Sequence, residues 1–259
     1  LETILSFLSG SNKTKCSTDL IKGFDMINFF LGLTCLLFSQ VINFTESYAY
    51  SNKNIEQFLI NREKIWPQWK LTKLNSSNIT KDLIYPSWFE GNWIVESEDL
   101  VNSSNDIISY KVNFEKNKSG EIVGNRSQNS ESIGKAIFGD RLKKIKSDPK
   151  SFNNQVIYLK DDEYIESRVK ARNQIIDDNI FFSDEFVIQT THKDGLSRIN
   201  QVEVMSKFFK CNLNQDNKPN DYDICGLQYT ATYGSRVGEI NVKAIDTNKY
   251  KLTFKFIEI

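Results

Sequence analysis

Beyond Gly91 this chain alternates apolar and polar residues with period two, in one short run after another. No two runs are separated by a helix of crossover length. Parallel pairing requires crossovers of a dozen or more residues, so the pattern confines the chain to antiparallel all-β folds. Ile108, Tyr110, Val112 and Phe114 alternate up to a turn signal, Lys116-Asn117-Lys118-Ser119-Gly120, with Glu121 to Arg126 as the return strand. Gln155 to Leu159 and Tyr164 to Val169 flank a hairpin tip, Asp161-Asp162-Glu163. Phe181 to Thr191, Ile199 to Cys211, Gly226 to Tyr233, Gly238 to Ile245 and Tyr250 to Ile259 bring the total to about ten strands. One interruption stands out, Asn129 to Phe138, where Ser130 to Ala136 suits a helical turn. The expected fold is an all-β antiparallel meander closed into a lipocalin-like barrel, with an N-terminal helical arm.

The entry to that barrel is Tyr85-Pro86-Ser87-Trp88-Phe89-Glu90-Gly91-Asn92-Trp93. Gly91 allows a bend where a Cβ would clash, and Trp93 is then placed to plug the end of the sheet. Trp88, Phe89 and Trp93, with Arg126 closing over the tryptophan, form the expected barrel-closing or ligand-facing set. An arginine at a barrel mouth also suits a carboxylate or phosphate. We read the structural role first.

Upstream, an apolar run after Met26 and the small residues of Ser47-Tyr48-Ala49 suit a signal peptide cleaved before Tyr50. A retained membrane anchor is the other reading of the run. Residues 1–49 are thus expected to be an upstream extension and signal peptide, 50–79 a helical arm and linker, and 80–259 the barrel domain. Residues 52–66 carry the partly helical pattern of the arm, ended by Pro67. After such a cleavage Cys211 and Cys225 remain, bracketing one polar loop. In an exported protein they read as a disulfide, with two buried free thiols as the other reading. Acidic and basic residues balance at 33 each, which gives no global field toward nucleic acid or an anionic membrane. Membrane contact is expected only through an uncleaved signal segment.

Several motifs fall in order along the strands: Tyr85-Pro86-x-Trp88-Phe89-x-Gly91-x-Trp93, Asn125-Arg126 followed by Asn129, Ile133-Gly134, Phe138-Gly139-Asp140, and Asn200-x-Val202-Glu203. Together they resemble a domain of unknown function found in cyanobacteria and in plant and algal plastids, over roughly residues 80–259. The resemblance implies a thylakoid-lumen or periplasmic location in a photosynthetic organism. It implies no known reaction and brings no catalytic residues. Gly124-Asn125-Arg126 stands where an acidic residue often precedes the family's arginine. The Gly-x-Trp step also resembles the first strand of lipocalins.

Other candidates read as structural. Arg141, Arg168 and Arg236 join Arg126 as charged residues to inspect. His192, the chain's only histidine, sits beside a turn and reads as a solvated loop residue rather than a haem ligand or general base. Asp161-Asp162-Glu163 and Asp177-Asp178 read as turn acids. Lys143, Lys144 and Lys146 read as a solvated strand edge. In Phe208-Phe209 one ring belongs to the core and the other faces out, beside Trp66 and Trp69, under the arm or under a partner. No metal, cofactor or catalytic residue is assigned. The expected function is non-enzymatic support of the photosynthetic membrane by binding a small apolar ligand in the barrel. The alternative is an assembly or auxiliary factor docking on a thylakoid membrane protein complex.

Overall fold

The computed structural model describes residues 54–72, 79, 81–102, 107–148, 150–211, 223–234 and 241–258. The expected cleavage before Tyr50, Arg236 and the interior of the Cys211–Cys225 loop lie outside them. The strands are β1 (Gly91–Asp99), β2 (Ile107–Lys116), β3 (Ile122–Gly124), β4 (Leu142–Asp148) and β5 (Ser151–Leu159), then β6 (Tyr164–Ile176), β7 (Ile180–Lys193), β8 (Leu196–Lys210), β9 (Ile224–Tyr233) and β10 (Asp246–Phe256). They form one 10-stranded antiparallel sheet in the order β3-β2-β1-β10-β9-β8-β7-β6-β5-β4. Every pairing joins neighbours in sequence except β1 with β10.

The sheet curls into a half-barrel and does not close, which corrects the expected closed barrel. β3 and β4 end the sheet and share no ladder. The cause is local. β3 has 3 residues, and Asn125 then caps a helix by accepting from the Gln128 N–H at 3.2 Å. Helix α2 (Arg126–Phe138) therefore begins where a longer return strand was expected, and it is a full helix rather than a single turn. It packs against both β2 and β4, across the gap that further pairing would have filled. Gly134 lets it sit close: a Cβ there would come within 2.6 Å of Ile145 on β4. β4 was not among the strands placed by alternation, but Lys143, Lys144 and Lys146 lie exposed on the sheet's last strand, the solvated strand edge expected of them. Residues 241–245, where a strand was expected, belong to no strand of the sheet and instead bond the backbone of Trp69 and Leu71 around the isolated Lys70–Lys243 bridge.

Both faces of the sheet are covered, so two apolar clusters form. The concave cluster gathers Phe89, Trp93, Val95, Phe114, Phe181, Phe208 and Phe254. Phe89 is at its centre, fully buried. Its ring meets those of Phe114, Phe208 and Phe254 edge-on at 5.0, 5.4 and 5.8 Å. The convex cluster joins Phe182, Phe186, Met205 and Tyr229 to Leu59, Trp69 and Leu71 of the arm. Adjacent Phe181 and Phe182 thus point to opposite faces and both are buried, as strand geometry requires. Phe208 likewise is buried inside while Phe209 is half-buried outside.

The arm is helix α1, residues 54–65, followed by an extended stretch. Arg62 anchors it. Its Nε donates to Glu203 Oε1 at 2.8 Å, its Nη2 bonds both carboxylate oxygens, and Tyr233 Oη donates to Glu203 Oε2 at 2.5 Å. The guanidinium also stacks over Trp69 at 4.3 Å. The arm's aromatics are therefore largely spent on its own chain. Trp69 is buried and Trp66 lies edge-on to Tyr229 at 5.8 Å.

Cys211 and Cys225 are bonded, with a Cα separation of 5.1 Å. The bridge spans 14 residues of sequence. Reducing it, or replacing both cysteines with serine, is expected to lower stability by ~3 kcal/mol. Urea unfolding with and without reductant measures this, and coincident midpoints would show that the loop holds itself.

Candidate functional site

The room left inside the half-barrel lies between α2 and the inner faces of β5 and β6, and it is polar. It amounts to about 50 Å³ and is lined by Asp82, Arg126, Ser130, Gln155, Ser167 and Glu185, among others. That volume holds a few waters, at roughly 10–15 Å³ of such space for each. The Phe89 cluster fills the apolar half of the interior, and this small polar pocket lies beside it.

Arg126 opens α2 and turns away from the barrel mouth. Its Nε donates to Asp82 Oδ2 at 2.9 Å, its Nη2 bonds Asp82 Oδ1, and its Nη1 bonds the Phe152 carbonyl. Burial draws the guanidinium's pKa down. The Asp82 hydrogen bond and charge outweigh that effect and hold Arg126 above its ordinary value. A second arginine, Arg172, is buried beside it in the fold and donates from Nε to Glu185 Oε1 at 2.7 Å. Each cation therefore has its own carboxylate, and the pocket carries no surplus charge for an anion.

The expected closure of Arg126 over Trp93 is not what the chain does. Trp93 is buried, its Nε1 donates to the Phe89 carbonyl at 2.8 Å, and its ring meets Phe254 and Phe256 edge-on. Trp88 is half-buried with its ring 4.6 Å from that of Phe89. The plug is thus made by aromatics alone, with Phe89 rather than Trp93 at its centre. Gly91 serves as expected: its φ is +126°, and a Cβ there would come within 2.5 Å of the Phe256 ring.

Polar groups around the pocket tie elements together. Asn129 Oδ1 accepts from Asn113 N–H at 2.7 Å, and its Nδ2 donates to the Asn113 carbonyl at 2.9 Å, which clamps α2 on β2. Gln155 donates to Ser130 Oγ at 2.5 Å. Asn153 Nδ2 and Arg172 Nη1 hold the carbonyls of Ile79 and Lys81. Ser167 Oγ and Asn153 Oδ1 are buried with no hydrogen-bond partner among the described residues, and bound water in the pocket would satisfy them.

His192 has a serine partner that the sequence did not suggest. Its Nδ1 lies 2.9 Å from Ser197 Oγ, and its Nε2 lies 3.7 Å from Glu166 Oε2. The three share adjacent strands, with His192 paired directly to Ser197. The imidazole also stacks on Tyr164 at 4.2 Å. The carboxylate is too far for a hydrogen bond, and the serine stands exposed on a sheet face. This is a cross-strand ladder of side chains. Arg141 pairs with Glu163 at 2.9 Å, and Arg168 bonds Asn154. No cluster of three or more His, Cys, Asp or Glu is placed for a metal among the described residues.

A family model described as a domain of unknown function (DUF6816) matches residues 97–256. The chain belongs to that family. The matched range runs from β1 to β10 and takes in Arg126, Asn129, Gly134 and Glu203, each of which has a structural contact above. The Tyr85–Trp93 entry lies ahead of it. No curated protein and no solved structure matches the DUF6816 chain.

The residues sequence reasoning missed are Asp82, Arg172, Glu185 and Arg62. Glu185 belongs to Ser183-Asp184-Glu185, a polar step between the apolar pairs Phe181-Phe182 and Phe186-Val187 of β7, and that was the available signal. Arg62 and Asp82 carry none, because their partners lie 141 and 44 residues away.

Proposed function

We propose that the protein is a non-enzymatic domain of the thylakoid lumen or periplasm of a photosynthetic organism, and that it acts by docking on a membrane protein complex. The observation that carries this reading is the filled interior. A pigment or quinone-like molecule needs a pocket of roughly 300 Å³ or more with an apolar lining. The interior offers about 50 Å³ lined largely by polar groups. This supports docking over an apolar ligand held inside. The Cys211–Cys225 bond suits an oxidising compartment, and the apolar run after Met26 suits export. Among the described residues no helix is long and apolar enough to cross a membrane.

One rim of the half-barrel offers a surface for such contacts. Leu100, Val101 and Ile107, where β1 ends and β2 begins, are 45%, 46% and 57% exposed. In the native host, the protein is expected to comigrate with a membrane complex on native gels, and Val101→Asp with Ile107→Asp is expected to release it without changing the melting temperature. A wild-type protein recovered free of any complex but carrying a stoichiometric chromophore or quinone would overturn the reading.

A further inference from the structure

The convex face of β4 to β8, beyond the cover of the arm, holds an open cleft of about 580 Å³. Its size falls in the range of small-molecule sites. Strand register explains its lining. Lys146, Val156, Glu166, Thr190 and Ile199 form one cross-strand row over β4 to β8. Asn154, Arg168 and Ile188 form the next row over β5 to β7. The first row thus carries both signs of charge, Lys146 on β4 and Glu166 on β6, and ends on Ile199, while in the second Arg168 stands directly beside Ile188. Ile188 also touches the cluster under the arm, and Ile199 is 38% exposed, so an apolar floor runs out from the arm's edge.

The charges are unequal in kind. Asp148, at the cleft's edge, accepts from the Lys150 N–H at 2.9 Å, and Glu166 approaches His192. Arg168 donates only from Nε, to Asn154 Oδ1 at 3.1 Å. Among the described residues, Lys146, Arg168 and Lys170 have no carboxylate within ion-pair distance, although all line the cleft. Cations without counterions beside an uncovered aliphatic floor are complementary to one class of molecule.

We propose that this cleft binds an amphiphile with a single anionic head, a carboxylate, sulfate or phosphate on a hydrocarbon chain. The head is held by Arg168 and Lys170, and the chain lies along Ile188 and Ile199 on β7 and β8. A guanidinium already fixed at Nε by Asn154 presents its remaining donors with little ordering cost. The site uses a different face from the rim of the docking reading and stands or falls apart from it.

The test is calorimetric titration of the purified protein with laurate below its micelle concentration. Saturable binding is expected, weakened about tenfold or more in Arg168→Gln with Lys170→Gln, as loss of charge-assisted bonds implies. Lys118→Gln, on the β2–β3 turn, is expected to bind as wild type does. Decanol, with the chain but no charge, is expected to bind at least about tenfold more weakly. Equal binding of decanol, or wild-type affinity in the double variant, overturns the proposal. A third arm uses vesicles of phosphatidylglycerol and of phosphatidylcholine. Binding to the anionic vesicles without any binding of laurate would assign the cations to a bilayer surface and overturn the cleft.

Discussion

Phe89→Ala is expected to lower the free energy of unfolding by ~3–5 kcal/mol, enough to leave the domain largely unfolded or poorly expressed. The ring is fully buried at the meeting point of β2, β7, β8 and β10, and its neighbours are themselves large rings. Rings of that size cannot collapse into the space one of them leaves, so the cavity term adds to the lost transfer energy. Phe89 is the buried residue of the 3-10 turn Ser87–Phe89, and Trp88 packs on its ring, so the loss is expected to loosen the turn as well. Equilibrium urea unfolding measures the change. A loss below ~1 kcal/mol would show that the interior repacks and that the plug lies elsewhere.

The second large effect belongs to the opposite face. Glu203→Ala leaves the Arg62 guanidinium buried without its counter-charge, which typically costs ~3–5 kcal/mol. Glu203 is fully buried and Arg62 nearly so, so solvent cannot replace the carboxylate. The expected outcome is release of α1, reported by exposure of Trp69 to a fluorescence quencher before the sheet unfolds. Replacing both partners, Arg62→Met with Glu203→Met, is expected to recover much of the loss, because the guanidinium is no longer left buried without Glu203. A double variant as unstable as the single one would instead assign the effect to packing against Trp69.

Why some of this was legible follows from the range of the forces involved. Period-two alternation is local, and it located most of the strands and the antiparallel meander. The turn acids Asp161 and Asp162 do sit at positive φ in the β5–β6 hairpin. The Cys211–Cys225 bond was legible because the cysteines bracket one loop. Helix α2 was read as a mere turn because the residues it buries include Asn129, Ser130 and Gly134, which carry no apolar period. β4 showed only as an edge of lysines and not as an alternating run, since its last position in the sheet packs just two apolar side chains, Leu142 and Ile145, beside α2. The failure of closure follows from both misreadings. Arg126 was singled out as a charge to inspect, but its partner Asp82 lies in an irregular segment where no pattern exists. Glu203 appeared within a motif, and its role depends on a helix whose arginine only the fold brings near.

Strand β10 is the last strand in chain order, yet it sits between β1 and β9 in mid-sheet. Every other pairing can zip from a hairpin as the chain emerges. The β1–β10 ladder must bring Trp93 to Phe256 across nearly the whole domain, a loop closure whose entropy is met late. A ribosome that has released everything up to Tyr233 has produced two sheets joined by no ladder. One of them, β1 to β3, still lacks the strand that brings Phe254 to Phe89. Protection from proteolysis should therefore arrive in a single step, when the final eleven-residue strand clears the exit.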